Sequence, residues 1–315
     1  MASCRGEGRV ILDKLRLCFK AEPQLLETLD YMEIGESIYF NELSLVRINE
    51  DLGYFNVYCS YQLTNDEEVY FGKLKFNQKI AGERGNLFKD GTQKAWVKVE
   101  NTVLYGSVER LRFIYTVEKE LKLTLNNFTK VEQCRDVSFN LPRLIKRYLH
   151  DPEITTILNR HIVLDRKEKR DEIVYCYSGN LDHQLKYLTV YIKQKEAVDN
   201  PNEGLTLKAY NKKHEIETKK MHKRYILDYH NNPKSLYRFE VEANSEETSL
   251  YFSRMHIPIS LDILFNQEIM EDMYYYFLWR VLRFRCGAKG HIAWKDILDR
   301  GINKHPSQGK KMISR

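Results

Sequence analysis

Two alternating segments, residues 205–211 and 236–244, constrain the fold of this chain most strongly. Successive side chains of a β-strand point to opposite faces, so alternating apolar and polar residues predict a half-buried strand. In the first segment one face carries Leu205, Leu207 and Ala209, and the other carries Thr206, Lys208 and Tyr210. In the second, Arg238, Glu240 and Glu242 share a face opposite Tyr237, Phe239 and Val241. We therefore predict two strands, one carrying a tyrosine followed by lysines and the other an arginine with two carboxylates.

Residues 9 to about 125 are predicted to form a β-rich region. Partial alternation and a β-branched and aromatic bias are typical of half-buried strands. They occur in the segments RVILDKLRLCF, ESIYFNELSLVRI, YFNVYCSYQL, EVYFGKLKF, KAWVKVENTVLY and RLRFIYTV. Residues 23–32 have apolar residues at helical spacing, which predicts one helix on this sheet. The expected class is α+β, with a large, mostly antiparallel sheet and helices on one face.

Further helices are predicted in the second half of the chain. Asn140 is a plausible N-cap, and Pro142 stands in the first turn of a helix that runs to about Leu149. Residues 215–230 are compatible with a basic helix. Ser260 precedes a long apolar segment that predicts a helix of about 24 residues, ended by Gly287, and a short second helix ends at Gly301. We expect a domain over residues 1–250 and a small, basic, helical unit over residues 251–315.

The composition excludes several classes of protein. No apolar run approaches the roughly 20 residues that a membrane-spanning helix needs, and the first residues lack the apolar core of a signal peptide. The six cysteines form no CxxC pair, which argues against a zinc site and a disulfide framework. We therefore expect a soluble protein with reduced thiols and no membrane contact.

Positive charge is concentrated at the C-terminal end. The formal net charge is +6, yet residues 279–315 alone contain ten lysines and arginines against two aspartates. A basic segment on a near-neutral body favours a polyanionic partner, because lysines and arginines displace counterions from phosphates. The alternative is a solvated basic tail.

A third segment, TKVEQCRDVSF at residues 129–139, places acids on one face of a predicted strand. Glu132, Cys134 and Asp136 share that face, and we expect the two carboxylates to lie about 7 Å apart. Burying two acids together is costly unless a cation or hydrogen bonds compensate them, so we expect something positive opposite.

These three segments together resemble the replication initiation factor family of plasmids and the gene II type replication proteins of filamentous phages. Residues 129–139 are similar to a TRIDLAVDF-type strand, residues 207–217 (LKAYNKKHEIE) to an (L/I)RIYNKxxE segment, and residues 236–244 (LYRFEVEAN) to an RxE strand. The specific motifs cover about 30 residues, and their joint order carries the resemblance. The chain departs from the pattern at Lys130 and Glu132, where the family more often has Arg and Asp.

The resemblance implies a rolling-circle replication initiator. Such a protein nicks one strand of a replication origin and keeps the 5′ end as a phosphotyrosine, leaving a free 3′-OH for a polymerase. Tyr210 is the predicted nucleophile, with Lys212 or Lys213 as electrostatic help, and Tyr191 and Tyr187 are rival nucleophiles. Arg238 would hold a phosphate oxygen. Glu132, Asp136 and Glu240 would bind Mg²⁺ or Mn²⁺, and Glu215 is a further candidate ligand or base.

The same resemblance suggests the partners and the compartment. The expected substrate is single-stranded or supercoiled origin DNA in the cytoplasm of a bacterial host, with a host helicase and polymerase as candidate partners. The two transesterifications of a rolling circle are compatible with a homodimer. The candidate DNA-binding residues are Lys208, Lys212, Arg280, Arg283, Arg285 and Lys289. Two alternatives stay open: an origin-binding regulator that does not cleave, and an unrelated structural or phage accessory protein.

Overall fold

The computed structural model describes residues 8–48, 54–62, 68–77, 88–163, 171–178, 187–200, 203–287 and 290–300. It has the predicted α+β architecture. The strands are β1 (Val10–Ala21), β2 (Ser37–Phe40), β3 (Leu43–Ile48), β4 (Tyr54–Gln62), β5 (Glu68–Asn77), β6 (Gln93–Val99), β7 (Thr124–Val137), β8 (Ile154–Leu158), β9 (His161–Ile162), β10 (Ile173–Tyr177), β11 (Leu188–Lys193), β12 (Leu205–Asn211), β13 (Tyr237–Asn244), β14 (Leu282–Cys286) and β15 (His291–Ile292). The α-helices are α1 (Pro23–Asp30), α2 (Asn101–Leu104), α3 (Val108–Glu120), α4 (Leu141–His150), α5 (Lys195–Asp199), α6 (Lys212–Lys219), α7 (Tyr225–Tyr229), α8 (Ser245–Met255), α9 (Gln267–Val281) and α10 (Trp294–Arg300).

The chain forms two compact units. Unit 1 contains Glu132–Glu247, the chain up to Ile11 and the chain from Gln267 onward, whereas unit 2 contains Leu12–Val131 and Thr248–Asn266. The border at Glu247 lies close to the boundary that we expected at residue 250. The chain from Gln267 onward nevertheless belongs to unit 1. The same unit contains β12, which carries Tyr210, and β13, which carries Glu240.

In unit 1 the strands follow the order β10-β11-β12-β13-β7. Strands β10 to β13 pair in antiparallel fashion, and Ala209 of β12 lies between Val190 of β11 and Phe239 of β13. These apolar side chains are buried against helices: the ring centroid of Phe239 lies 5.0 Å from that of Trp294, at the start of α10. A smaller sheet of order β15-β14-β8-β9 adds to the same core, where the rings of Tyr148 and Phe284 meet edge to face. The opposite face of β12 and β13 is therefore left to polar side chains.

In unit 2 the strands follow the order β7-β1-β6-β5-β4-β3-β2. Val97 of β6 pairs with Leu17 of β1 on one side and Leu74 of β5 on the other, and all three are fully buried. Helix α3 covers this apolar surface, with the ring of Phe113 edge-on to that of Phe71 at 5.5 Å. Burial of these side chains is the main favourable contribution to the stability of the unit.

Most of the predicted elements are confirmed, and one strand prediction is wrong. Helices α1 and α4 stand where the sequence placed them, and the Asn140 side chain caps α4 by accepting a hydrogen bond from the Arg143 N–H. The segment RLRFIYTV, predicted as a strand, belongs to helix α3. Phe113, Ile114 and Val117 are its buried residues, and their spacing matches a helix face rather than a strand face. The basic helix proposed for residues 215–230 is interrupted, with α6 and α7 joined through a short 3₁₀ turn.

The long helix predicted after Ser260 is also wrong. A 3₁₀ turn over Leu261–Phe265 precedes α9, which ends at Val281, and the chain then continues as strand β14. Leu282 and Phe284 are buried while Arg283 and Arg285 alternate with them, and this two-residue period marks the change to a strand. The described C-terminal part of unit 1 is thus mixed α and β rather than the helical unit that we expected. Among the described residues, none of the helices combines the length and the apolar character that a bilayer crossing demands.

Candidate active site

Tyr210 stands where a strand changes into a helix. It is the penultimate residue of β12, Asn211 follows it, and Lys212 begins α6. The Asn211 side chain accepts a hydrogen bond of 2.9 Å from the His214 N–H, so it serves as the N-cap of α6. This change of direction brings Lys212 back toward the tyrosine, and its Nζ lies 3.2 Å from the Tyr210 hydroxyl oxygen.

Glu240 approaches the same hydroxyl from the neighbouring strand. In the antiparallel register Tyr210 lies opposite Arg238 and Lys208 lies opposite Glu240, so all four side chains project from one face. The Tyr210 hydroxyl donates a hydrogen bond of 2.8 Å to Glu240 Oε2. The phenol therefore has a carboxylate positioned to take its proton and an ammonium group positioned to stabilise the oxygen that remains.

Glu215 holds the lysines around Tyr210 in place. Lys212 Nζ lies 3.0 Å from Glu215 Oε2, and Lys220 and Lys208 Nζ lie 2.9 and 3.9 Å from Glu215 Oε1. Burial alone would raise the pKa of Glu215, yet these three lysines, Lys212 foremost, lower its pKa to about 2. Glu215 is thus a carboxylate anchor for lysines, and its permanent negative charge makes it poorly suited to act as a base near neutral pH.

Lys208 and two further tyrosines share an open cleft with Tyr210. Lys208 Nζ lies 4.1 Å from the centre of the Tyr210 ring and 5.8 Å from that of Tyr191, within cation–π range. The lining residues of this cleft are Ser178, Tyr187, Thr189, Tyr191, Lys208, Tyr210, Asn211, His214, Glu215 and Lys219. The rival tyrosines at 187 and 191 therefore lie in the same cleft, but the hydroxyl contacts to Glu240 and Lys212 belong to Tyr210.

Asp136 and Arg238 do not have the roles that the sequence suggested. Arg238 is fully buried and binds Asp136 with two hydrogen bonds, from Nε at 2.8 Å and from Nη2 at 2.7 Å, and His230 Nε2 adds a third contact at 2.9 Å. Burial alone would raise the pKa of Asp136, but Arg238 and then His230 lower its pKa to about 2. The positive group expected opposite the acids is present. However, it ties β13 and α7 to β7 instead of holding a phosphate.

Glu132 and Glu240 form a buried acidic cluster. Each offers one carboxylate oxygen, and the two oxygens lie within 4.8 Å of each other. The spacing that we expected between Glu132 and Asp136 was wrong, because four strand residues span about 13 Å. Asp136 is therefore removed from the predicted metal ligands, and Glu132 and Glu240 remain.

Two buried carboxylates with converging oxygens could contribute ligands to a metal ion. Oxygen ligands of this kind suit hard divalent cations such as Mg²⁺ and Mn²⁺. Placing two negative charges together in a buried site is costly without a compensating cation, which agrees with this interpretation.

Of the two lysines predicted as electrostatic help for Tyr210, the one in contact with its hydroxyl is Lys212. Lys213 Nζ donates to the Pro233 carbonyl oxygen at 2.8 Å and lies 3.8 Å from Glu217, so it contacts other groups than Tyr210. Lys212 itself is only 1% exposed, which leaves no surface for direct DNA contact. It therefore does not fit the DNA-binding set in which we had placed it.

The remaining DNA-binding candidates differ in their availability. Arg280 is ion-paired with Glu247, and the Arg283 guanidinium lies 4.1 Å from the ring centre of Trp279. Arg285 is exposed on β14, and Lys289 lies outside the described residues. Of this C-terminal set, Arg285 is the described residue best placed to meet a phosphate.

In comparisons with known proteins, neither a family model nor a curated protein matches this chain.

Proposed function

We propose that this protein is a metal-dependent DNA nicking and joining enzyme that initiates rolling-circle replication, with Tyr210 as its nucleophile. The observation that carries the proposal is the contact set of the Tyr210 hydroxyl, which donates to Glu240 and accepts from Lys212. The three motifs shared with replication initiators, and two of the three carboxylates expected from them, support it. Origin DNA is the proposed substrate.

Glu240, Tyr210 and Lys212 each have a role in the steps of the proposed reaction. Glu240 takes the hydroxyl proton of Tyr210 as the phenolic oxygen attacks the scissile phosphorus. The new bond joins the Tyr210 oxygen to phosphorus, the P–O3′ bond breaks, and the departing 3′ oxygen is protonated to a free 3′-OH. Lys212 stabilises the negative charge that develops on the phenolic oxygen as its proton passes to Glu240. The phosphotyrosine keeps the energy of the phosphodiester, so attack by a 3′-OH can rejoin the strand.

The acidic cluster would hold the metal that this chemistry uses. Glu132 and Glu240 supply oxygens, and a carboxylate has two, so Glu240 can offer one to a cation while the other accepts the hydrogen bond from Tyr210. A bound Mg²⁺ or Mn²⁺ would polarise the scissile phosphate and offset its charge. Because Arg238 is tied to Asp136, Lys208 takes over the role of meeting a non-bridging phosphate oxygen in the cleft.

Incubation with DNA tests this function. Wild-type protein and Tyr210→Phe are mixed with single-stranded and supercoiled replicon DNA, with Mg²⁺, with Mn²⁺ or with a chelator, and separated on a denaturing gel. We expect a DNA-linked protein band that needs the metal and is lost in Tyr210→Phe. A metal-independent band, or none with any DNA, would contradict the proposal.

A second candidate function is origin binding without cleavage. The burial of the reacting groups favours it, since Tyr210 is 4% exposed and Lys212 1% exposed. A protein of this kind would bind origin DNA with the same affinity in wild type and Tyr210→Phe and would form no covalent product. The denaturing gel, combined with a binding titration, therefore separates the two functions.

A further inference from the structure

The cleft beside Tyr210 has a chemistry that the nicking reaction itself does not require. The cleft is partly open to solvent, and its volume is about 100 Å³. The Tyr187 and His214 rings stack nearly in parallel, with centroids 3.5 Å apart and planes 13° apart. Tyr191 stands opposite Lys208 on the neighbouring strand. The walls are therefore flat and aromatic rather than generally apolar.

Lysine side chains lie beside these rings, on the side of the cleft nearest the Tyr210 hydroxyl. Lys208 lies between the Tyr210 and Tyr191 rings, and Lys219 of α6 also lines the cleft. Aromatic walls with positive charges match a ligand that has a flat π-face and a phosphate. A nucleotide unit has both, and every base can stack whatever its identity.

We propose that this cleft binds one unpaired base of the DNA strand, next to the phosphate that Tyr210 attacks. The inference rests on the proposed function and adds a base-binding subsite to it. A base inside a duplex is already stacked on both sides, so it must leave the helix before it can reach Tyr187 and Tyr191. The cleft thus explains how the enzyme would select a single-stranded or extruded site rather than paired DNA.

Binding without turnover tests the subsite. Fluorescein-labelled dT12 and a 12-base-pair duplex are titrated against the full chain in chelator, in a Tyr210→Phe background so that no covalent product can form. We expect Tyr187→Ala and Tyr191→Ala each to weaken dT12 binding about tenfold, whereas Tyr187→Phe keeps the ring and changes it less than about threefold. Duplex binding should be weaker than that of dT12 and unchanged by either alanine.

A matched control is available on the opposite face of the sheet. Tyr177 is 45% exposed, and its hydroxyl accepts a hydrogen bond from Lys146 of α4, away from the cleft. Tyr177→Ala should leave dT12 binding unchanged. Circular dichroism of each variant confirms that the fold is retained.

The outcomes separate the subsite from the nicking function. Unchanged dT12 binding in both cleft alanine variants, with metal-dependent nicking intact, would overturn the subsite and leave the proposed function standing. Ring-dependent dT12 binding without any covalent product from the Tyr210 protein would support the subsite and overturn the nicking function. Binding of dTMP as tight as that of dT12 would show a free-nucleotide site and overturn the DNA proposal.

Discussion

At the scale of single residues, the feature that favours Tyr210 as a nucleophile is its pair of partners, Glu240 and Lys212. A phenol is a weak nucleophile near neutral pH, because its ordinary pKa is about 10. The Glu240 carboxylate is positioned to accept the phenolic proton. The Lys212 ammonium group is positioned to stabilise the negative charge that this leaves on the oxygen. Burial of this group keeps water from competing with the electrostatic contacts.

Adjacent lysines provide a direct test of this arrangement. We predict that Lys212→Met lowers the rate of covalent product formation by about 100-fold or more, because it removes the cation beside the phenolic oxygen. Lys213→Met should change the rate by less than about threefold, since Lys213 binds the Pro233 carbonyl. The measurement is a single-turnover rate on a denaturing gel. Equal losses in the two variants would contradict the assignment of Lys212.

The acidic cluster is tested through metal affinity rather than activity. Glu132→Gln removes one negative ligand, so we predict that Mn²⁺ binding, followed by the electron paramagnetic resonance of the free ion, weakens at least about tenfold. Glu242→Gln removes the same charge from the face of β13 that bears Glu240 and should leave Mn²⁺ affinity nearly unchanged. Wild-type affinity in Glu132→Gln would show that the cluster is not the metal site.

At the scale of elements, the site depends on one junction from strand β12 to helix α6. The alternation of residues 205–211 predicted the strand correctly. It did not show which of the two following lysines, Lys212 or Lys213, would contact Tyr210. The Asn211 cap changes the direction of the chain there, and only the helical turn brings Lys212 to the tyrosine while Lys213 points to Pro233. Local patterns predict an element, whereas the partner of a side chain depends on the neighbouring elements.

The same limit explains the errors on β7 and at the end of α9. The sequence showed that Glu132 and Asp136 share a face, but not that Arg238 and His230 would neutralise Asp136. The helix α9 passes into β14 without a glycine or proline between them, so the change of period was the only local marker.

Helix α6 should make the stability of the protein depend on pH. The pKa of Glu215 falls from 4.5 to about 2 on folding, so its contribution is fully present above pH 4.5 and is lost as the pH falls toward 2. Because the group is partly solvated, we expect that contribution to be about 1–2 kcal/mol. Urea unfolding of wild type and Glu215→Gln between pH 2 and 6 measures it. The difference between the two free energies of unfolding should shrink on acidification, and a constant difference would contradict the account.

At the scale of the whole molecule, charge on the C-terminal strands should set the affinity for DNA. Arg285 is exposed on β14, so we predict that Arg285→Gln weakens DNA binding and reduces the salt slope of the affinity by about one counterion. Arg254→Gln makes the same change of charge on exposed surface at the end of α8 and should leave the slope unchanged. Binding titrations from 50 to 300 mM salt make the comparison, and equal slopes in all three proteins would contradict the prediction.

The α+β class and the strand positions of Tyr210, Glu132 and Glu240 could all be predicted from the sequence. These features depend on residue type and alternation, which a single chain displays directly. The division into two units could not be predicted, because unit 1 gathers segments from both ends of the chain. Its sheet nevertheless carries the tyrosine, the lysines, the aromatic cleft and the buried Asp136–Arg238 pair on one framework.

The most direct test of the central claim is to locate the covalent bond. Wild-type protein is reacted with single-stranded replicon DNA and Mn²⁺, digested with nuclease and protease, and the modified peptide is sequenced by mass spectrometry. The account predicts a nucleotide attached through phosphate to Tyr210. Attachment to Tyr187 or Tyr191, or a protein without any attached nucleotide, would contradict it.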